Sequence, residues 1–72
     1  MTESLFALQK AVGINPKDAE SHNNLSNVLR EIGKLEESEA SCRQAIELNP
    51  DYVSAHYNLG ITLQELGRLE EA

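Results

Sequence analysis

The chain has little of several features on which small domains commonly rely. Its 72 residues include one cysteine, one phenylalanine, two tyrosines and no tryptophan. A single cysteine excludes an intrachain disulfide and is typical of a reducing compartment, so a cytoplasmic location is expected. With so few aromatic side chains, the core must be built mainly from aliphatic residues and alanine.

Long apolar runs and basic clusters are also missing. No segment approaches the roughly 20 apolar residues that span a bilayer, and the residues after Met1 do not have the apolar run of a signal peptide. The chain has 12 acidic and 6 basic residues, a net charge of -6. Because phosphate binding requires clustered Lys and Arg, neither nucleic acid nor an anionic membrane is expected as a partner.

What the sequence does contain is an internal repeat. Asn15-Pro16 recurs as Asn49-Pro50, 34 positions later. The same offset places residues 22–37 on residues 56–71, and most of these positions are identical or conservatively replaced. A period of this length is typical of stacked helical repeats.

Each repeat is predicted to form two helices, which we call A and B. Apolar residues recur with helical spacing in residues 19–32, the A helix, and in residues 35–48, the B helix. Gly33 is expected to end the A helix in the left-handed conformation, and Pro50 ends the B helix because proline cannot continue the hydrogen-bond ladder. The predicted N-caps of the two A helices are Asp18 and Asp51.

The fold class that follows is all-α, with antiparallel helix-turn-helix repeats in one array. The helix order is B-A-B-A plus a stub of B. Residues 1–18 form the second half of a repeat and residues 19–52 one full repeat. Residues 53–72 form the first half of a repeat plus the stub, which begins at Leu69.

The spacing resembles the tetratricopeptide repeat, whose pattern is W-x2-L-G-x2-Y, then A-x3-F, then A and P. The matching positions in the full repeat are His22, Leu25, Ser26, Leu29, Ser38, Cys42, Ala45 and Pro50. Smaller groups replace the family's aromatic residues, but the spacing is kept. The resemblance implies a short right-handed α-solenoid whose A helices line a concave groove, and a scaffold that binds a protein or a peptide.

Eight residues of the A helices are predicted to line this groove: Asn23, Asn24, Asn27, Arg30, Tyr57, Asn58, Ile61 and Gln64. Asn24 and Asn58 occupy the same place in successive repeats, similar to the asparagine ladder of the protein O-linked N-acetylglucosamine transferases. Because an amide both donates and accepts, we expect Asn24 and Asn58 to hold an extended peptide by its backbone, with Tyr57 as a flat apolar contact. The alternative is that these amides are solvated or bond a neighbouring helix.

No catalytic residue, cofactor or metal site is expected. His22 and His56 occupy an aromatic core position one repeat apart, and no further ligand set has zinc spacing. Cys42 replaces a core aromatic and is expected to pack as a small apolar residue. A carboxylate clamp of the kind known in the family is disfavoured, because Asn23 or Tyr57 stands where its first lysine belongs.

Two alternative functions remain at this point. The first and last helices lack partners, so the chain is expected to expose apolar residues there. These residues are Leu5, Leu8, Leu63, Leu66 and Leu69. Either the chain is part of a longer array, or copies of it associate through these ends as a homo-oligomer. The other alternative is a regulatory repeat segment of a larger enzyme, such as a glycosyltransferase with similar repeats.

Overall fold

The structure, a computed structural model, describes residues 2–71 and the side chains of residues 5–68. Within that part of the chain it contains helices and turns and no β-strand. The helices are α1 (Thr2–Ile14), α2 (Ala19–Glu31), α3 (Leu35–Leu48) and α4 (Val53–Glu71). The all-α repeat fold predicted from the sequence is therefore confirmed.

The helices alternate between the two predicted types, with α1 and α3 as B helices and α2 and α4 as A helices. Helix α3 packs against both α2 and α4, α1 packs against α2, and α2 and α4 also touch each other. The Cα atoms fill a slab of 38 × 29 × 13 Å, whose shortest dimension accommodates two layers of packed helices. This arrangement brings the two A helices side by side.

The N-termini of the two A helices are equivalent in position but not in chemistry. Asp18 caps α2, because its Oδ1 atom accepts a hydrogen bond of 3.1 Å from the backbone N–H of Glu20. Helix α4 begins at Val53, directly after Tyr52. The prediction that Asp51 is the N-cap of α4 is therefore wrong. The 34-residue offset pairs Asp18 with Tyr52, whose side chain is too large for the capping role.

The turn between α2 and α3 depends on Gly33. This residue has φ +86°, a conformation that glycine adopts without the clash that a Cβ atom causes. The Gly33 N–H donates to the carbonyl of Arg30 over 3.1 Å, and the Lys34 N–H donates to the carbonyl of Leu29 over 2.8 Å. This pair of bonds is the Schellman motif, and it turns the chain so that α3 packs back on α2.

Gly67 holds the same position in the next repeat but lies inside a helix. Helix α4 continues through it to Glu71, so residues 69–71, predicted to open a separate B helix, form the last turn of α4. A helical Gly67 keeps the i→i−4 hydrogen bonds of the backbone, whereas the turn at Gly33 is stabilised by the packing of α3 on α2. Ala72 lies outside the described residues.

The core is built from unusually small side chains. Three leucines are buried, Leu25, Leu29 and Leu35, and the other buried apolar residues are Cys42, Ala45 and Ala55. The largest side chains that are completely enclosed are Thr62, Cys42, Ser26 and Ser38. Small side chains allow helix backbones to approach closely, and they leave hydroxyl groups that must find partners inside the core.

Candidate peptide-binding surface

The two A helices carry matching stripes of side chains. On α2 the stripe contains Asn23, Asn27 and Arg30, and on α4 it contains Tyr57, Ile61 and Gln64. The spacing of i, i+4 and i+7 keeps each set on one side of its helix, and the repeat offset pairs the sets residue by residue. We call the surface formed by these six residues together with Asn24 and Asn58 the A-helix surface.

A buried pair of amides joins the two A helices at this surface. The Nδ2 atom of Asn58 donates to Oδ1 of Asn23 over 2.8 Å, and both residues are buried. The Nδ2 atom of Asn23 in turn lies 3.5 Å from the hydroxyl oxygen of Tyr52. Tyr52 was not predicted to take part, and its equivalence to the capping residue Asp18 gave no signal of this role.

The two asparagines predicted to form a ladder therefore have different environments. Asn58 faces α2 and bonds Asn23, whereas Asn24 is exposed. The difference arises because α4 has an A helix before it, on which Asn58 packs, while α2 has none among the described residues. Equal positions in the repeat thus give unequal burial.

The rest of the surface is open to different degrees. Tyr57 is 69% exposed, and Asn24 and Gln64 are also exposed. Asn27, Ile61 and Arg30 are half-buried. The accessible part of the surface therefore offers one aromatic ring, three side-chain amides, one aliphatic group and one guanidinium group.

A set of buried hydroxyls lies where α2, α3 and α4 meet. Ser38 Oγ donates to the carbonyl of Ser26 over 2.7 Å, and Thr62 Oγ1 donates to the carbonyl of Asn58 over 2.8 Å. The two hydroxyl oxygens are 3.3 Å apart. Each hydroxyl has a backbone acceptor, so the close packing of the three helices leaves none of these groups unsatisfied.

The two histidines fix the turns that precede the A helices. Nε2 of His22 donates to the carbonyl of Pro16 over 2.8 Å, and Nε2 of His56 donates to the carbonyl of Pro50 over 2.7 Å. His22 is buried as predicted for a core position, but His56 is exposed. Helix α2 is covered by α1 and α3, whereas among the described helices only α3 and the edge of α2 pack against α4.

Among the residues that the structure describes, no group of three or more His, Cys, Asp or Glu side chains is arranged to hold a metal ion. Cys42 is completely buried, as expected for a packing residue. Over the range 2–71, no helix combines the length and the apolar character needed to cross a membrane.

Alternating A and B helices, repeated at a 34-residue offset, define a helical-repeat protein. Residues 26–67 match a family model described as TPR repeat, and residues 7–40 match one described as tetratricopeptide repeat. The first match covers more than half of the chain, which therefore belongs to the tetratricopeptide repeat family. Members of this family generally mediate protein–protein interaction and are typically non-catalytic scaffolds. Among curated proteins, a sequence search finds no match.

Proposed function

We propose that this chain binds an extended peptide segment of a partner protein on the A-helix surface. The observation that carries the proposal is the exposure of Tyr57, on the same stripe as half-buried Ile61 and exposed Gln64. A tyrosine ring supplies a large contact area while fixing only two side-chain dihedrals. Aromatic groups of this kind are enriched in the residues that dominate binding energy at interfaces.

The amides of the surface have two separate roles in this proposal. Asn24, Asn27 and Gln64 are accessible, and each can donate to a peptide carbonyl while accepting from a peptide N–H. Asn23 and Asn58 form a hydrogen bond with each other. In this proposal that bond sets the distance between α2 and α4. The ligand is therefore held by backbone contacts to the accessible amides and by packing on Tyr57 and Ile61.

Peptide selection followed by substitution tests the proposal. Dodecamer peptides would be selected from a random library displayed on phage, and their affinities measured by fluorescence anisotropy. Tyr57→Ala is expected to weaken binding about tenfold or more, corresponding to at least about 1.4 kcal/mol. Phe6→Ala is the matched control, because Phe6 on α1 is 70% exposed against 69% for Tyr57, and it should leave the affinity unchanged.

Two results would contradict the proposal. One is that no peptide is enriched more strongly on the immobilised protein than on the immobilising support alone. The other is an equal loss of affinity in the Tyr57→Ala and Phe6→Ala variants, which would place the bound peptide away from the A-helix surface.

A second candidate function is self-association, and one comparison within the structure favours it. Leu29 of α2, a helix that packs against α1, α3 and α4, is 3% exposed, whereas its repeat equivalent Leu63 of α4 is 41% exposed. Leu63 therefore offers an apolar side chain that a further helix packed on α4 would cover. Helix α1 is itself a B helix, so α1 of a second copy has the right pattern to cover Leu63. Leu69 was also predicted to be exposed at this end, but its side chain lies outside the part of the chain whose side chains the structure describes.

A further inference from the structure

The guanidinium group of Arg30 has a nitrogen that is shielded from water and has no hydrogen-bond acceptor in the protein. Arg30 lies in the last turn of α2 and is half-buried. Its Nη1 atom is enclosed by the protein and has no hydrogen-bond partner. A guanidinium group stays charged at all ordinary pH values, and a buried charged donor without an acceptor is destabilising.

The arginine lines a cleft between the α2–α3 turn and the C-terminal part of α4. The cleft has a volume of ≈ 530 Å³. Its lining residues are Arg30, Glu31, Gly33, Leu35, Glu65 and Arg68. Leu35 is buried and gives the cleft an apolar wall, while Gly33 in the turn contributes no side chain. An apolar wall with a few polar groups is the usual composition of a small-ligand site.

Neither arginine of this cleft forms an ion pair with an acid among the side chains of residues 5–68. Among the residues whose side chains the structure describes, the ion pair present is Arg43 with Glu39 on α3, at 2.9 Å. Glu31 and Glu65 line the same cleft, but neither lies within ion-pair distance of Arg30. No described side chain accepts from Nε or Nη2 of Arg30 either. The Nε–Nη2 edge therefore retains two donors for an external group.

We propose that this cleft binds the carboxylate of an Asp or Glu side chain of the peptide held on the A-helix surface. The inference rests on the proposed function and adds to it a preference for an acidic residue. The fork of a guanidinium group matches a carboxylate with two parallel hydrogen bonds, and the aliphatic part of an Asp or Glu side chain packs on Leu35. Arg68 adds a second positive charge to the cleft.

The charge balance of the cleft favours a single carboxylate over a polyanion. Two arginines and two glutamates line it, so its formal charge is zero, and the whole chain carries -6. One carboxylate in direct contact with Arg30 gains the attraction of a close pair of opposite charges in a partly desolvated setting. A group with several negative charges would meet both glutamates at close range.

A titration with a small model compound tests the site apart from peptide binding. N-acetyl-glutamate N-methylamide would be added to the 72-residue chain, and the Arg30 Nε–H and Gly33 backbone N–H signals followed by NMR. Both signals are expected to shift in a saturable manner. The glutamine analogue, which is neutral and nearly the same size, should leave them unchanged. Arg30→Gln should abolish the Gly33 shift, and Arg43→Gln, which removes the same charge from α3, should preserve it.

The peptides selected for binding to the chain provide a second test of the carboxylate site. Replacing an acidic residue of such a peptide by its amide is expected to weaken binding about tenfold to the wild-type chain and to have no effect on binding to Arg30→Gln. Equal responses to the glutamate and glutamine compounds, or no response to either, would overturn the carboxylate site. Selected peptides whose affinity is independent of Arg30 would overturn it too, while leaving the proposed peptide-binding function intact.

Discussion

Asn58 shows how one residue type serves two purposes in this repeat. It repeats Asn24 at the 34-residue offset, but only Asn58 is buried, because its amide reaches Asn23 on the preceding A helix. Buried amides without partners are costly, so a satisfied pair makes one relative position of α2 and α4 favourable. We infer that the pair sets the spacing of the surface on which the peptide is proposed to lie.

A double-mutant cycle measures this pair. Asn23→Ala and Asn58→Ala should each lower the free energy of unfolding by about 1–3 kcal/mol, because each strands the partner's amide inside the interface. The double variant should cost less than the sum of the two single losses, with a coupling of about 1 kcal/mol. Urea unfolding followed by circular dichroism gives these values.

Asn24→Ala is the control for that cycle, since the exposed amide of Asn24 has no described protein partner. Its effect on stability should stay within about 0.5 kcal/mol. Strictly additive losses in the double variant would contradict the coupling, and a loss in Asn24→Ala as large as in Asn58→Ala would show that burial does not separate the two positions.

The positions of the candidate surface residues on the A helices could be predicted from the sequence, but their environments could not. Periodicity correctly places Tyr57, Ile61 and Gln64 on one stripe of an A helix. It gives no information on the buried hydroxyls of Ser38 and Thr62, because serine and threonine are ordinarily exposed and their burial depends on a backbone acceptor nearby. Contacts between helices decide burial, and a single repeat pattern does not contain them.

At the scale of the element, the two nearly identical turn segments behave differently. Residues 31–37 and 65–71 differ only by Ile32/Leu66 and Lys34/Arg68. The first segment turns at Gly33, and the second continues as helix through Gly67. Local sequence therefore permits both conformations, and the packing of the following helix on the preceding one selects the turn. This is why the bounds of α2 and α3 were predictable while the end of α4 was not.

Alanine substitution distinguishes the two glycines. Gly33→Ala should lower the free energy of unfolding by about 1–2 kcal/mol, because a residue with a Cβ atom is strained in the left-handed conformation. Gly67→Ala should raise it by about 0.5–1 kcal/mol, because alanine is the better helix former. A Cβ atom added at either position meets nothing within 4 Å, so steric overlap does not confuse the comparison.

Thermal unfolding followed by circular dichroism at matched concentrations suffices for this comparison. A destabilised Gly67→Ala variant would contradict the helical conformation of Gly67 and would mean that this glycine turns as Gly33 does. Unchanged stability in Gly33→Ala would mean that the left-handed turn is not needed to place α3 on α2.

At the scale of the whole molecule, stability depends on how many helix faces are covered. Helix α2 is enclosed by α1, α3 and α4, whereas α4 has neighbours on one side only among the described helices. Burying a leucine fully contributes about 1.5–3 kcal/mol. Leu29, at 3% exposure, obtains nearly all of this stabilisation, whereas Leu63, at 41% exposure, obtains only part of it. Helical repeats have this property in general, since each unit is stabilised chiefly by its nearest neighbours.

The open side of α4 predicts a defined mode of association for the 72-residue chain. Helix α3 packs on both α2 and α4 and buries Ser38, Cys42 and Ala45, whereas at equivalent places α1 carries Leu8 and Ala11, which are only half-buried. Packing of α1 from a second copy on α4 would bury both surfaces. The contact is heterologous, so it extends into open chains of copies unless it closes.

Sedimentation velocity from micromolar to millimolar concentration measures this association. The wild-type chain should sediment faster as its concentration rises, and Leu63→Glu should remain monomeric, because burying an unpaired carboxylate at the contact is costly. Phe6→Glu is the matched control: its repeat equivalent Ala40 stays exposed although α3 packs on two helices, so this variant should associate as the wild type does. A wild-type chain that is monomeric throughout would contradict the proposed contact, as would equal association of Leu63→Glu and the wild type.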